Sequence, residues 1–227
     1  MVKLLKKIKM RIKLYFVLLI IISSCKPIVY EETNFFYNYY PLHINQVKEF
    51  FVTNIVHNSF GKDTTTYFLK EIITDYNINM EGDTVYRVER YWKVDSSLSY
   101  EIKDVWTSKK NLSAGYLNEE NITYTKLIFP LSLNIYWNGN AFNNLGYQEY
   151  SIESLNIPFQ LNNVIFDSSL TVIQNYKSNL LEFENSKEIY ATGIGLIYKE
   201  DVQVEINSGN LSDITQGYEY YQEIINY

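Results

Sequence analysis

The sequence predicts an all-β fold: an antiparallel meander forming a strongly curved sheet, a half-open barrel or a sandwich, with at most one short helix. Three observations predict it. Side-chain character alternates with a period of two along much of the chain after residue 46. The alternating stretches are rich in Val, Ile, Thr, Tyr, Phe and Trp, which fit a half-buried pleated surface. Short polar turns carrying Asn and Gly separate them. The chain has 227 residues, 46% of them hydrophobic, which is enough for one domain with a sizeable core. Strands with one apolar face each cannot lie in a flat single sheet without leaving that face wet. Curvature is therefore part of the expectation.

The elements follow in order. Val47, Glu49, Phe51, Thr53 and Ile55 alternate with Lys48, Phe50, Val52, Asn54 and Val56, and residues 67–74 (YFLKEIIT) form a second strand. Residues 84–94 (TVYRVERYWKV) are the clearest case. Tyr86, Val88 and Trp92 share one face and Arg87, Glu89 and Lys93 the other, while Arg90 interrupts the apolar side and Tyr91 the polar one. Residues 100–107, 122–129, 147–155, 170–176, 194–206 and 218–227 complete nine strands. Turns are expected at 79–83 (NMEGD), 138–140 (NGN) and 208–210 (SGN). Residues 180–189 (LLEFENSKEI) read as the one short helix. His57 reads as a turn residue after the first strand, and Gly193 and Gly195 as a bulge or close backbone approach within a strand.

The N-terminus differs from the rest. Lys3, Lys6, Lys7, Lys9, Arg11 and Lys13 precede nine unbroken apolar residues at 14–22, and Ser23, Ser24 and Cys25 follow. This is the layout of a secretory signal, and its apolar run is about half the ~20 residues a membrane-spanning helix needs. Ile22-Ser23-Ser24-Cys25 resembles the lipobox of bacterial lipoproteins. The resemblance implies that residues 1–24 are removed, that a diacylglycerol joins the Cys25 thiol, and that the new amine is acylated. Two or three acyl chains on one residue, at ~0.8 kcal/mol per buried methylene, make a stable anchor where one chain is marginal. Residues 25–38 then read as the tether, its aromatic second half docked on the domain, and 39–227 as a single β domain.

Residues 1–24 hold six of the 20 basic residues and none of the 26 acidic ones, so residues 25–227 carry a formal charge of −12. A domain that acidic is repelled by phosphate backbones and anionic headgroups, which excludes nucleic acid as a partner. The membrane contact is expected through the lipid on Cys25.

Four stretches, Tyr39-Tyr40-Pro41-Leu42, Lys126-Leu127-Ile128-Phe129-Pro130, Trp137-Asn138-Gly139-Asn140 and 190–200 (YATGIGLIYKE), resemble a family of small outer-membrane lipoproteins of Bacteroidetes that lacks an agreed activity. The resemblance implies an outer-membrane location, facing either way, and transfers no catalytic residue. Lys26 after Cys25 is not the Asp associated in some bacteria with inner-membrane retention.

The inventory for chemistry is thin. One Cys and two His leave no zinc-finger set, and no Gly-x-Ser-x-Gly elbow or His-Glu-x-x-His motif occurs. Residues 138–144 have the oxygens of a calcium loop without its carboxylates. Glu119-Glu120 and Glu200-Asp201 are adjacent and would face opposite sides of a strand. No cofactor, metal or catalytic residue is expected. Thr64 and Thr84, in Asp-Thr-Thr and Asp-Thr-Val, resemble O-glycosylation sites of secreted Bacteroidetes proteins. The 37 aromatic residues are the compositional oddity, and Trp137, Asn138 and Asn140 are the stretch singled out for surface binding. The function these readings favour is a lipid-anchored, non-catalytic binding or interaction module for an envelope protein, a glycan or an apolar ligand. The alternatives are a structural component of an outer-membrane assembly and, further off, a glycan-active enzyme.

Overall fold

The structure, a computed structural model, describes Met1 and residues 34–227. The apolar run read as a secretory signal, residues 14–22, and Cys25 lie outside the described residues. Twelve strands form one antiparallel sheet: β1 (Val47–Asn58), β2 (Gly61–Ile78), β3 (Thr84–Lys93), β4 (Glu101–Lys110), β5 (Ala114–Glu119), β6 (Ile122–Ile128), β7 (Tyr136–Asn138), β8 (Glu149–Leu161), β9 (Val164–Ser178), β10 (Glu182–Ala191), β11 (Gly195–Asn207) and β12 (Asn210–Asn226). The spatial order is β6-β5-β4-β3-β2-β1-β12-β11-β10-β9-β8-β7. Two six-stranded meanders are thus joined along β1 and β12, the first and last strands in the chain. The sheet curls until its edges nearly meet. The backbone N–H of Thr125 on β6 donates to the Gly139 carbonyl just past β7 at 2.8 Å, and the Trp137 indole donates to the Thr125 carbonyl at 2.9 Å. Curling hides the apolar face that a flat sheet would expose.

Local chemistry sets the turns. Glu120 and Asn121 both take positive φ in the two-residue β5–β6 turn, and Ser208 and Gly209 do so between β11 and β12, the backbone that matches strand twist. Asn79 closes the β2–β3 turn by accepting from the N–H of Glu81 and of Asp83. Residues 192–194 turn between β10 and β11. Gly193 and Gly195, at φ 78° and 87°, therefore serve a hairpin turn and not a mid-strand bulge.

Strands β1, β5, β7 and β10 differ from the sequence expectation. Residues 182–191 are strand β10, not helix, paired on both sides with β9 and β11. Two hydrogen-bonded neighbours outweigh a modest helix preference. Leu180 and Leu181, which suggest helix, sit exposed in the preceding turn, where Asn179 Oδ1 accepts from the N–H of Leu181 and of Glu182. His57 lies within β1, opposite Lys62 and Gly217, its Nε2 2.7 Å from Glu219 Oε1. Strands β5 and β7 are too short or too mixed to show a period.

The compact unit holding the sheet runs Phe35–Tyr227. Its first residues plug one end of the barrel. Tyr37–Tyr39 form a 3-10 turn. Lys110 Nζ donates to the carbonyls of Tyr37 and Tyr40 at 3.0 and 2.8 Å. The Tyr40 hydroxyl reaches the Tyr116 carbonyl at 3.0 Å, and that of Tyr39 pairs with Ser168 at 2.7 Å. Both rings are buried with Leu127, Phe129, Trp137, Tyr150, Leu170 and Tyr190.

The tyrosine surplus has a strand-level explanation. Residues two apart share a face. Tyr91 donates to Glu89, Tyr147 to Glu149, Tyr190 to Glu188, Tyr198 to Glu200 and Tyr221 to Glu219, each two residues away, at 2.5–3.0 Å. Each hydroxyl satisfies a carboxylate; the Tyr190 ring is buried in the core, whereas that of Tyr147 stands exposed.

Candidate functional site

The interior of the barrel is charged. Lys48, Glu71, Arg90 and Asp104 are direct cross-strand neighbours on β1 to β4 and form an alternating row. Lys48 lies 3.5 Å from Glu71, Arg90 Nε 3.1 Å from Glu71 Oε1, and Arg90 Nη1 3.0 Å from both oxygens of Asp104. The guanidinium also stacks 3.4 Å from the centre of the Trp106 ring. Burial acts to lower the Arg90 pKa, but Glu71 and Asp104 outweigh it and hold the group charged.

A second group sits across the barrel. Lys126 Nζ on β6 is 2.5 Å from Glu188 Oε1 on β10 and 3.8 Å from Glu119 on β5. The Tyr190 hydroxyl caps the other Glu188 oxygen at 2.5 Å. β6 and β10 are far apart in sheet order, so this pair exists only because the sheet curls. Glu188 is 1% exposed and Lys126 5%. Burial pushes the Glu188 carboxyl up, but Lys126, Lys199 and the two hydrogen bonds hold it below the ordinary range. Burial likewise opposes the Lys126 charge, and Glu188 and Glu119 restore it.

Between the two groups lies a void of about 110 Å³, walled by Tyr40, Leu42, Ile73, Val88, Trp106 and Leu196 together with the charges. It is well below the ~300–1,000 Å³ of small-molecule sites and lined by ion pairs.

The second cavity is a cleft of about 220 Å³ at the barrel end that carries the 139–148 loop. Its floor shares Glu119, Lys126 and Lys199 with the void. Its walls are side-chain amides and hydroxyls: Asn140, Gln148, Gln174, Asn175, Tyr124 and Tyr150 among them. Gln174 is 8% exposed, and its amide nitrogen has no hydrogen-bond partner. Buried amide groups are normally paired, so this nitrogen, itself buried at the cleft wall, is a donor without an acceptor in the protein. Lys199 makes no ion pair within 4 Å among the described residues; its ammonium stands 5.9 Å from the Tyr220 ring centre. Burial keeps the phenols of Tyr124 and Tyr150 protonated by raising their pKa values, with Glu119 adding to the effect at Tyr124.

The loop is held by Asn138. Its Oδ1 accepts from the N–H of Asn140 at 3.1 Å and of Gln148 at 3.0 Å, clamping both ends. Asn143 Nδ2 ties the middle to the Thr123 carbonyl at 3.0 Å. Gln148 Nε2 donates to the Gln174 carbonyl at 2.7 Å, joining the loop to β9. The Tyr150 ring lies so close over Gly139 that a Cβ there would collide with it.

The stretch singled out from the sequence thus divides. Trp137 is buried in the core at 7% exposure and presents no open ring; Asn138 clamps the loop; Asn140 lines the cleft. The 138–140 turn opens a ten-residue loop and not a tight hairpin. Thr64 is exposed on β2, and Thr84 is half-buried at the start of β3. Sequence reasoning missed Gln174, Lys199, Lys126 and Glu188. The one available signal was of the same kind as Arg90: a charge breaking an apolar strand face.

No family model matches the chain, and no curated protein matches it. It is similar in structure to a predicted exported protein of Bacteroides fragilis with a YmcC-like fold, at 11% identity and a TM-score of 0.38, over 82% of this chain and 98% of that one. A predicted lipoprotein of Parabacteroides distasonis gives 11% identity and a TM-score of 0.34, over 86% and 100%. Likenesses this distant bear on neither family nor function.

Proposed function

We propose that this protein is a lipid-anchored module of the outer membrane that binds a small polar ligand without catalysing a reaction on it. The observation that carries the binding reading is the polar cleft with its unpaired, buried Gln174 amide. The leader and Cys25 support the anchor. The chain enters the barrel through Phe35–Tyr40, beside the β4–β5 and β10–β11 turns, whereas the cleft opens beside the 139–148 loop at the opposite strand ends. The cleft thus opens at the end of the strands opposite the one where Phe35–Tyr40 pack. The inventory for catalysis is thin: His57 is engaged by Glu219, and Glu188 is held charged by Lys126 beneath the cleft. The test is expression with the native leader, followed by membrane fractionation and mass spectrometry of the N-terminus. The expected result is cleavage before Cys25, a diacylglyceryl group on its sulfur and release of Cys25→Ser from the membrane fraction. A bare Cys25 thiol on an uncleaved chain would refute the anchor.

A further inference from the structure

We infer that the cleft takes a neutral saccharide, through one sugar residue or a chain end. The inference rests on the binding reading above and deepens it. Three observations on the cleft support it. The first is its mixed chemistry. Gln174 Nε2 lacks a partner, and Lys199 has no ion pair within 4 Å among the described residues; both donate. The Tyr124 and Tyr150 phenols stay protonated and donate as well. Glu119, held only loosely at 3.8 Å from Lys126, accepts. A sugar hydroxyl both donates and accepts, so a ring bearing several of them satisfies such a mixture, which an apolar or purely anionic ligand cannot.

The second is charge. Two cations, Lys126 and Lys199, and two carboxylates, Glu119 and Asp201, line the cleft, and Glu188 lies directly beneath. Residues 25–227 carry −12 overall. A carboxylate or phosphate on the ligand gains no net attraction there and meets repulsion on approach. The third is size. At about 220 Å³ the cleft is smaller than drug-sized sites of ~300–1,000 Å³, which fits one sugar ring and not a long polymer segment. The wall is also preorganised: the Asn138 clamp and the Gln148–Gln174 bond fix loop to strand before a ligand arrives.

The test uses the full-length protein in detergent micelles, with saturation-transfer NMR and calorimetry. The probes are glucose, galactose, mannose and N-acetylglucosamine, with glucuronate and glucose 6-phosphate as anionic counterparts. At least one neutral sugar should bind, tenfold or more tighter than its anionic counterpart. Gln174→Leu and Lys199→Met should each weaken it at least fivefold with the thermal midpoint of a folded protein retained, and Arg87→Ala, remote on the outer face of β3, should leave it unchanged. Tighter binding of an anionic sugar would overturn neutrality. Binding of a non-sugar metabolite that Gln174→Leu abolishes would overturn the saccharide assignment and leave the cleft reading standing. Failure of every probe, with wild type folded, would overturn the saccharide; sugar binding insensitive to both cleft substitutions would overturn the cleft as its site.

Discussion

Lys126→Met removes one member of the buried pair that spans the barrel. Glu188 then keeps the Tyr190 hydroxyl and the more distant Lys199 charge but loses its contact at 2.5 Å. Methionine preserves the aliphatic stem, so the packing loss is small and the change isolates the charge. Breaking a buried pair by removing one partner costs about 3–5 kcal/mol, because the other ion stays desolvated. For a domain of this size that is roughly 6–20 °C in thermal midpoint, at about 2–4 °C per kcal/mol. Urea unfolding followed by tryptophan fluorescence measures it. The double variant Lys126→Met, Glu188→Leu removes both charges and should recover at least half of the loss. The deficit of the single variant should also shrink as pH falls, since without Lys126 burial dominates and raises the Glu188 pKa, and protonation relieves the unpaired charge. A single-variant cost below about 1 kcal/mol, or a double variant no more stable than the single, would refute the pairing argument.

Arg90→Leu should cost about 3–5 kcal/mol by stranding Glu71 and Asp104 inside the barrel, whereas Arg87→Ala, half-exposed beside Glu89, should cost about 0–1 kcal/mol; denaturant midpoints compare them. Asn138→Ala removes two loop-closing hydrogen bonds and should destabilise by about 1–3 kcal/mol, while Asn138→Asp, which keeps the acceptor, should cost less; hydrogen exchange at the Asn140 and Gln148 amides reads the loosening. Glu89, Glu188 and Glu219 are each held below the ordinary carboxylate pKa: Glu89 by hydrogen bonds from Tyr91 and Arg87, Glu188 and Glu219 by partners that outweigh burial. Their stabilisation is therefore complete above the unfolded value of ~4.3 and is lost as pH falls through the folded values. Midpoints measured from pH 7 to 3 should fall below that pH, and Tyr221→Phe should reduce the part of the drop that Glu219 carries.

Strand periodicity was legible wherever one face is buried and the other wet. Residues 84–94 show it best, and they are β3 almost to the residue. It failed where both neighbours decide the outcome. β10 reads as helix because its carboxylates and amides spoil the apolar alternation, and those residues, Glu184, Asn185, Ser186 and Glu188, are the ones that hydrogen-bond to side chains on other strands or to Tyr190. Of these polar insertions, Ser186 lines the cleft and Glu188 the void beneath it.

Composition and pattern alone determined the fold class and the acidic character, because these depend on local order and on totals. The closure of the sheet decided the rest. Whether Trp137 is an open stacking ring or a core residue, whether Lys126 meets Glu188, and whether Gln174 keeps an unpaired amide beside a cleft all depend on strands distant in sequence being curled against one another. A period of two says which residues share a face; only the curvature of the sheet says what that face looks at.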